Sequence, residues 1–88
     1  MKKKYYLVNA DYQPLTIDVN RGCLDPIIQF DTYKDAKMFL DFLRKCPIQV
    51  GELFIKKTNF EGTVTNLSGY RPYYDKMHDE IQMERWEN

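Results

Sequence analysis

One histidine, two cysteines, four glycines and four prolines in 88 residues leave most site chemistries without the side chains they need. His78 alone supplies no histidine cluster for a metal-dependent phosphohydrolase. Its neighbours give both His-Asp and His-x-Glu pairs, yet the Pro-Cys-x-x-Cys that zinc deaminases place downstream is missing. Cys23 and Cys46 stand singly, without the close pairing of a zinc site. The glycines are scattered, so neither a Walker loop nor a dinucleotide loop is written in the chain. With 13 basic and 13 acidic residues and no net charge, no overall field draws in nucleic acid or an anionic membrane. No apolar run reaches the ~20 residues that a membrane crossing takes. These absences predict a non-enzymatic chain with no cofactor and no metal, working off the membrane.

The apolar run behind Met1-Lys2-Lys3-Lys4 stops at Asn9 and Asp11, short of a signal-peptide core. The expectation is therefore a cytoplasmic protein with reduced thiols. What is abundant is aromatic surface: seven Tyr, five Phe and one Trp. The charge balance also hides an asymmetry, because residues 1–58 carry ten Lys/Arg against seven Asp/Glu and residues 59–88 carry three against six.

The 88 residues read as a single α+β domain, of the size that buries about 60 % of its unfolded surface. The best-specified element is a helix over about 32–46. Thr32 caps its first turn, Asp35 follows three residues on, Arg44 and Lys45 suit its end, and Pro47 stops it. Its polar arc holds Lys34, Lys37, Asp41, Arg44 and Lys45, and the apolar remainder is too wide for one sheet to cover. Four to five short strands are expected to form a small antiparallel sheet against it. Lys3 to Ala10 is rich in Tyr and Val, Leu15 to Val19 alternates, and Leu24, Ile28 and Phe30 share a face. Glu52 to Thr58 and Thr63 to Leu67 follow the helix. Pro72, placed where a first helical position tolerates it, predicts a second helix over about 72–86. Its stripe of Tyr73, Tyr74, Met77 and Ile81 would lie over Met38 and Phe42.

Tyr, Trp and Arg anchor protein interfaces because they join large apolar area to a hydrogen-bonding end. Tyr70-Arg71-Pro72-Tyr73-Tyr74 concentrates them. The expected function is thus binding of a protein partner through Tyr70, Arg71, Tyr73, Tyr74, Asp79, Met83, Glu84 and Trp86. Small size, surplus aromatics and an acidic tail also suit a phage- or mobile-element-encoded inhibitor or regulator. A structural homodimer is one alternative. The other is nucleic-acid binding by Lys3, Lys4, Arg21, Lys56 and Lys57 on the outer side of the sheet, which zero net charge disfavours. The junction Phe30, Thr32 and Ala36, a Phe-x-Thr-x-x-x-Ala leading from strands into a capped helix, broadly resembles the sheet-plus-helix domains by which some integrases bind DNA. That resemblance covers the first half of the chain and implies the nucleic-acid reading.

Overall fold

The helix begins and ends where its capping residues require. The computed structural model describes residues 2–17, 25–47 and 51–85, and within them Tyr33–Lys45 is α1. Thr32 is extended, and its Oγ1 accepts the Asp35 amide at 3.2 Å, satisfying a donor that the first turn leaves open. At the other end Cys46 is extended again and its amide bonds the Leu43 carbonyl, with Arg44 and Lys45 in the last turn. Thr32→Ala is expected to cost about 1 kcal/mol, read as a lower midpoint in chemical denaturation with an unchanged slope.

Two strands flank the segment that leads into the helix. β1 (Lys4–Val8) pairs antiparallel with β3 (Phe54–Thr58), Tyr6 opposite Lys56 and Val8 opposite Phe54. β2 (Ile27–Gln29) pairs with β4 (Val64–Asn66), and this ladder is parallel. The expected all-antiparallel sheet is therefore corrected. The chain between β2 and β4 contains α1 and β3, and a connection of that length returns the strand in the same direction. Reciprocal backbone bonds of 3.0 and 2.9 Å between Tyr5 and Phe30 tie the two ladders together. Leu15 to Ile17 makes bridges and not a ladder, Leu15 bonding Leu7 and Ile28 while Ile17 bonds Pro26. Val19, Leu24 and Cys23 lie outside the described residues; Cys46 is a half-buried free thiol.

The core sits between these ladders and the helix. Leu7, Ile28 and Phe30 from the strands meet Ala36, Phe39, Leu40 and Leu43 of α1, with Leu53 and Leu67 closing the ends. The faces of α1 divide as its periodicity demands. Ala36, Phe39, Leu40 and Leu43 are buried, whereas Met38 and Tyr33 keep exposed surface. No helix among the described residues is long and apolar enough to cross a membrane.

Among the described residues the expected second helix is not formed. Residues 70–85 form a hairpin of β5 (Tyr70–Asp75) and β6 (Glu80–Arg85), Pro72 opposite Met83 and Tyr74 opposite Ile81. Two causes select the hairpin. Tyr70, Pro72 and Tyr74 alternate with Arg71 and Tyr73, and the paired Ile81 and Met83 give one ribbon face enough apolar surface to pack on the core. Asp75 then supplies the turn chemistry, its Oδ1 accepting the Met77 amide at 3.0 Å. A second turn launches the hairpin: the Tyr70 amide bonds the Leu67 carbonyl across Ser68 and Gly69, and Gly69 takes the positive φ of 88° that the third position of such a turn requires.

Candidate functional site

The hairpin has two unlike faces. In an antiparallel ladder residues directly opposite share a face, so Pro72, Tyr74, Ile81 and Met83 lie on one side and Arg71, Tyr73, Gln82 and Glu84 on the other. The first side turns inward. Pro72 is buried, and Ile81 and Met83 pack against the core. Tyr73, 44 % exposed, stands on the outer side, and Tyr70, 36 % exposed, stands at the base of the ribbon opposite Arg85.

Met77 is 86 % exposed, the highest value among the large exposed hydrophobic residues. It is held there by Asp75, whose Oδ1 takes the Met77 amide while Oδ2 lies 2.7 Å from His78 Nδ1. Asp79 adopts a left-handed φ of 51°, a region that Asp tolerates better than most side chains. Glu80 receives a hydrogen bond from the Gln82 amide group. The hydrogen bond to Asp75 and its charge hold His78 above the ordinary imidazole value of 6.5. His78 in turn holds the Asp75 carboxyl below its ordinary 3.8.

The pH dependence follows from both signs. The raised imidazole favours the folded turn fully below its unfolded value and loses that contribution as pH rises through its folded one. The depressed carboxylate contributes above its unfolded value and loses it as pH falls through the folded one. The pair therefore secures the turn best between about pH 4 and 6.5. Imidazole resonances in a proton NMR titration should move above the ordinary value for His78 and return toward it in Asp75→Asn.

Between the hairpin base and the helix runs an open trough of about 580 Å³. Met38, Phe42 and Pro72 contribute its apolar surface. Lys34, Lys37, Lys45 and Arg71 line it as cations, against Asp41 as the one carboxylate. Asp41 bonds Lys37 at 2.9 Å and lies 3.9 Å from Arg44. Hydrogen bonding from Lys37 holds the Asp41 carboxyl below its ordinary value, and the charges of Lys37, Arg44 and Lys45 act in the same direction. A second, mainly apolar recess of about 480 Å³ lies between the hairpin and the body, where Leu15, Ile17 and Phe39 face Ile81 and Met83.

The expected partner-binding residues thus separate. Tyr70, Arg71, Tyr73, Tyr74, Asp79, Met83 and Glu84 all lie on the hairpin, but Met83 and half-buried Tyr74 face inward and Tyr70 shares their side at the exposed base, leaving Arg71, Tyr73 and Glu84 on the outer side and Asp79 at the tip. Trp86 lies outside the described residues. Met77 does not cover Met38 and Phe42, as the helical stripe would have had it; it sits at the tip.

The basic residues of the alternative reading are dispersed. Lys56 and Lys57 are neighbours on β3 and so point to opposite faces, Lys56 over the Tyr12 ring and Lys57 over the Tyr5 ring, each at 5.6 Å. Lys4 is paired with Asp31 at 2.6 Å, and hydrogen bonding by Lys4 and then Asn66 lowers the Asp31 carboxyl. Lys3 is exposed, and Arg21 lies outside the described residues. Cations gather instead in the trough, where Lys34, Lys37 and Lys45 had been legible as the polar arc of α1. Their junction with Arg71 was not, because it exists only once β5 docks. Among the described residues no three His, Cys, Asp or Glu side chains are grouped to hold a metal.

No known protein family, curated protein or solved structure matches the chain.

Proposed function

We propose that this chain is a small non-enzymatic protein-binding module, of inhibitor or regulator type, that acts through the outer face and tip of its C-terminal hairpin. The observation that carries the reading is the exposure of Met77 on a turn fixed by Asp75. A methionine left in water at the end of an ordered ribbon is apolar surface presented outward, and Met adapts readily to a partner's contours. Tyr73 on the outer face and Tyr70 at the exposed base of the ribbon add rigid aromatic area with hydroxyl ends, the composition that interface centres favour. Because Ile81 and Met83 seat the hairpin on the core, its outer side chains are positioned before any partner arrives, which lowers the ordering cost of binding.

The test is affinity capture from lysate, with mass spectrometry, by the intact chain and by a chain carrying Tyr70→Ser and Tyr73→Ser. The reading predicts at least one protein held by the first and released by the second. Identical captured sets would overturn it.

A further inference from the structure

The trough and the hairpin tip carry opposite charge on the same chain. Residues 75–80 hold Asp79 and Glu80 against Lys76 once Asp75 is paired with His78, whereas Lys34 and Lys45 add positive charge to the trough beyond the Lys37–Asp41 pair. Both are also partly apolar: Met77 is exposed at the tip, and Met38, Phe42 and Pro72 line the trough. A molecule cannot satisfy this match by itself. Pro72 and Arg71 belong to the base of the hairpin, and the three steps from Pro72 to Asp75 cover about 10 Å of extended strand before the turn begins, so the tip, none of whose residues lines the trough, is carried away from it.

Two copies can satisfy it twice. When two hairpins lie side by side in opposite directions about a two-fold axis, each tip meets the base of the other, and the same contact is made reciprocally. We propose that the occupant of the trough is the hairpin tip of a second copy of this chain. Asp79 and Glu80 then face Lys34 and Lys45, and Met77 enters the surface formed by Met38 and Phe42. This deepens the protein-binding reading, on which it rests, by naming the chain itself as a partner that takes the hairpin tip.

Charge exchange tests the pairing. One variant carries Lys34→Glu and Lys45→Glu, the other Asp79→Lys and Glu80→Lys; all four positions are exposed, and circular dichroism with thermal melts verifies that each variant folds. In sedimentation equilibrium at low salt and micromolar concentration, the native chain is expected to dimerise, with a dissociation constant that rises about tenfold or more at 0.5 M salt, since exposed charge pairs are screened there. Each variant alone places like charges at both contacts and should be monomeric. An equimolar mixture restores opposite charges at both contacts and should return the dimer.

A native chain that stays monomeric, a dimer indifferent to either variant, or a mixture that remains monomeric would each overturn the proposal. The salt dependence of the native chain keeps the test decisive should a variant not fold. A monomeric native chain that still captures a foreign protein through Tyr70 and Tyr73 would overturn self-association alone and leave the protein-binding reading intact.

Discussion

Phe30→Ala is expected to remove about 3–5 kcal/mol of stability, a large share of the ~5–15 kcal/mol typical of a whole domain. The reason is the number of elements that converge on one side chain. Phe30 is 1 % exposed, its ring lies 5.6 Å from that of Phe39 on α1, and its backbone exchanges both hydrogen bonds with Tyr5 of β1. It also immediately precedes Asp31 and the Thr32 cap. Truncation leaves a cavity that a helix, a strand and a capped junction cannot close together. For a domain of this size the melting temperature should fall on the order of 20 °C. Phe30→Leu, which keeps most of the volume, should cost less than about 1.5 kcal/mol. Calorimetry on both variants checks the pair, and a loss below about 1 kcal/mol in Phe30→Ala would refute the view that this residue centres the core.

The second large effect concerns binding and should leave folding untouched. Tyr73→Ala together with Met77→Ala is expected to weaken association with the protein captured by the hairpin by about 100-fold or more, since central apolar anchors each contribute on the order of 2 kcal/mol when truncated. Both side chains point away from the core, so the melting temperature should stay within about 2 °C of the native value. Lys57→Ala, on the β3 ladder, supplies the contrast and should bind normally. Surface plasmon resonance against the captured partner reads the three variants directly. Equal weakening by Lys57→Ala would place the binding surface elsewhere.

Local chemistry and long-range pairing were not equally legible in the amino-acid sequence. The helix could be read completely, because Thr32, Asp35, Arg44, Lys45 and Pro47 each act within a turn of the residue they affect. β1 was legible from its Tyr and Val content and β3 from alternation, with Leu53 buried beside exposed Phe54, whereas the alternating stretch from Leu15 makes only isolated bridges as far as it is described. The parallel pairing of β2 with β4 was not legible, since Ile27 and Val64 are joined only by what lies between them.

The hairpin was misread for a definite reason. Tyr73, Met77 and Ile81 recur at the spacing of a helix face, and Pro72 suits a first helical turn, while Tyr70, Pro72 and Tyr74 equally suit a strand. Only the cross-strand partners Ile81 and Met83, together with the turn built by Asp75, decide between them. The tyrosine cluster itself was legible as surplus aromatic surface. Which of its members face outward became clear only when the ladder divided Tyr73 from Tyr74.

The most direct measurement is photo-cross-linking from a benzoylphenylalanine placed at Tyr73, beside the same probe placed at Phe54 on β3. Both positions are about half exposed, at 44 % and 48 %, so accessibility alone does not favour either. The hairpin account predicts a covalent adduct with a captured protein from the Tyr73 position and none from the Phe54 position. An adduct from Phe54 with none from Tyr73 would contradict it.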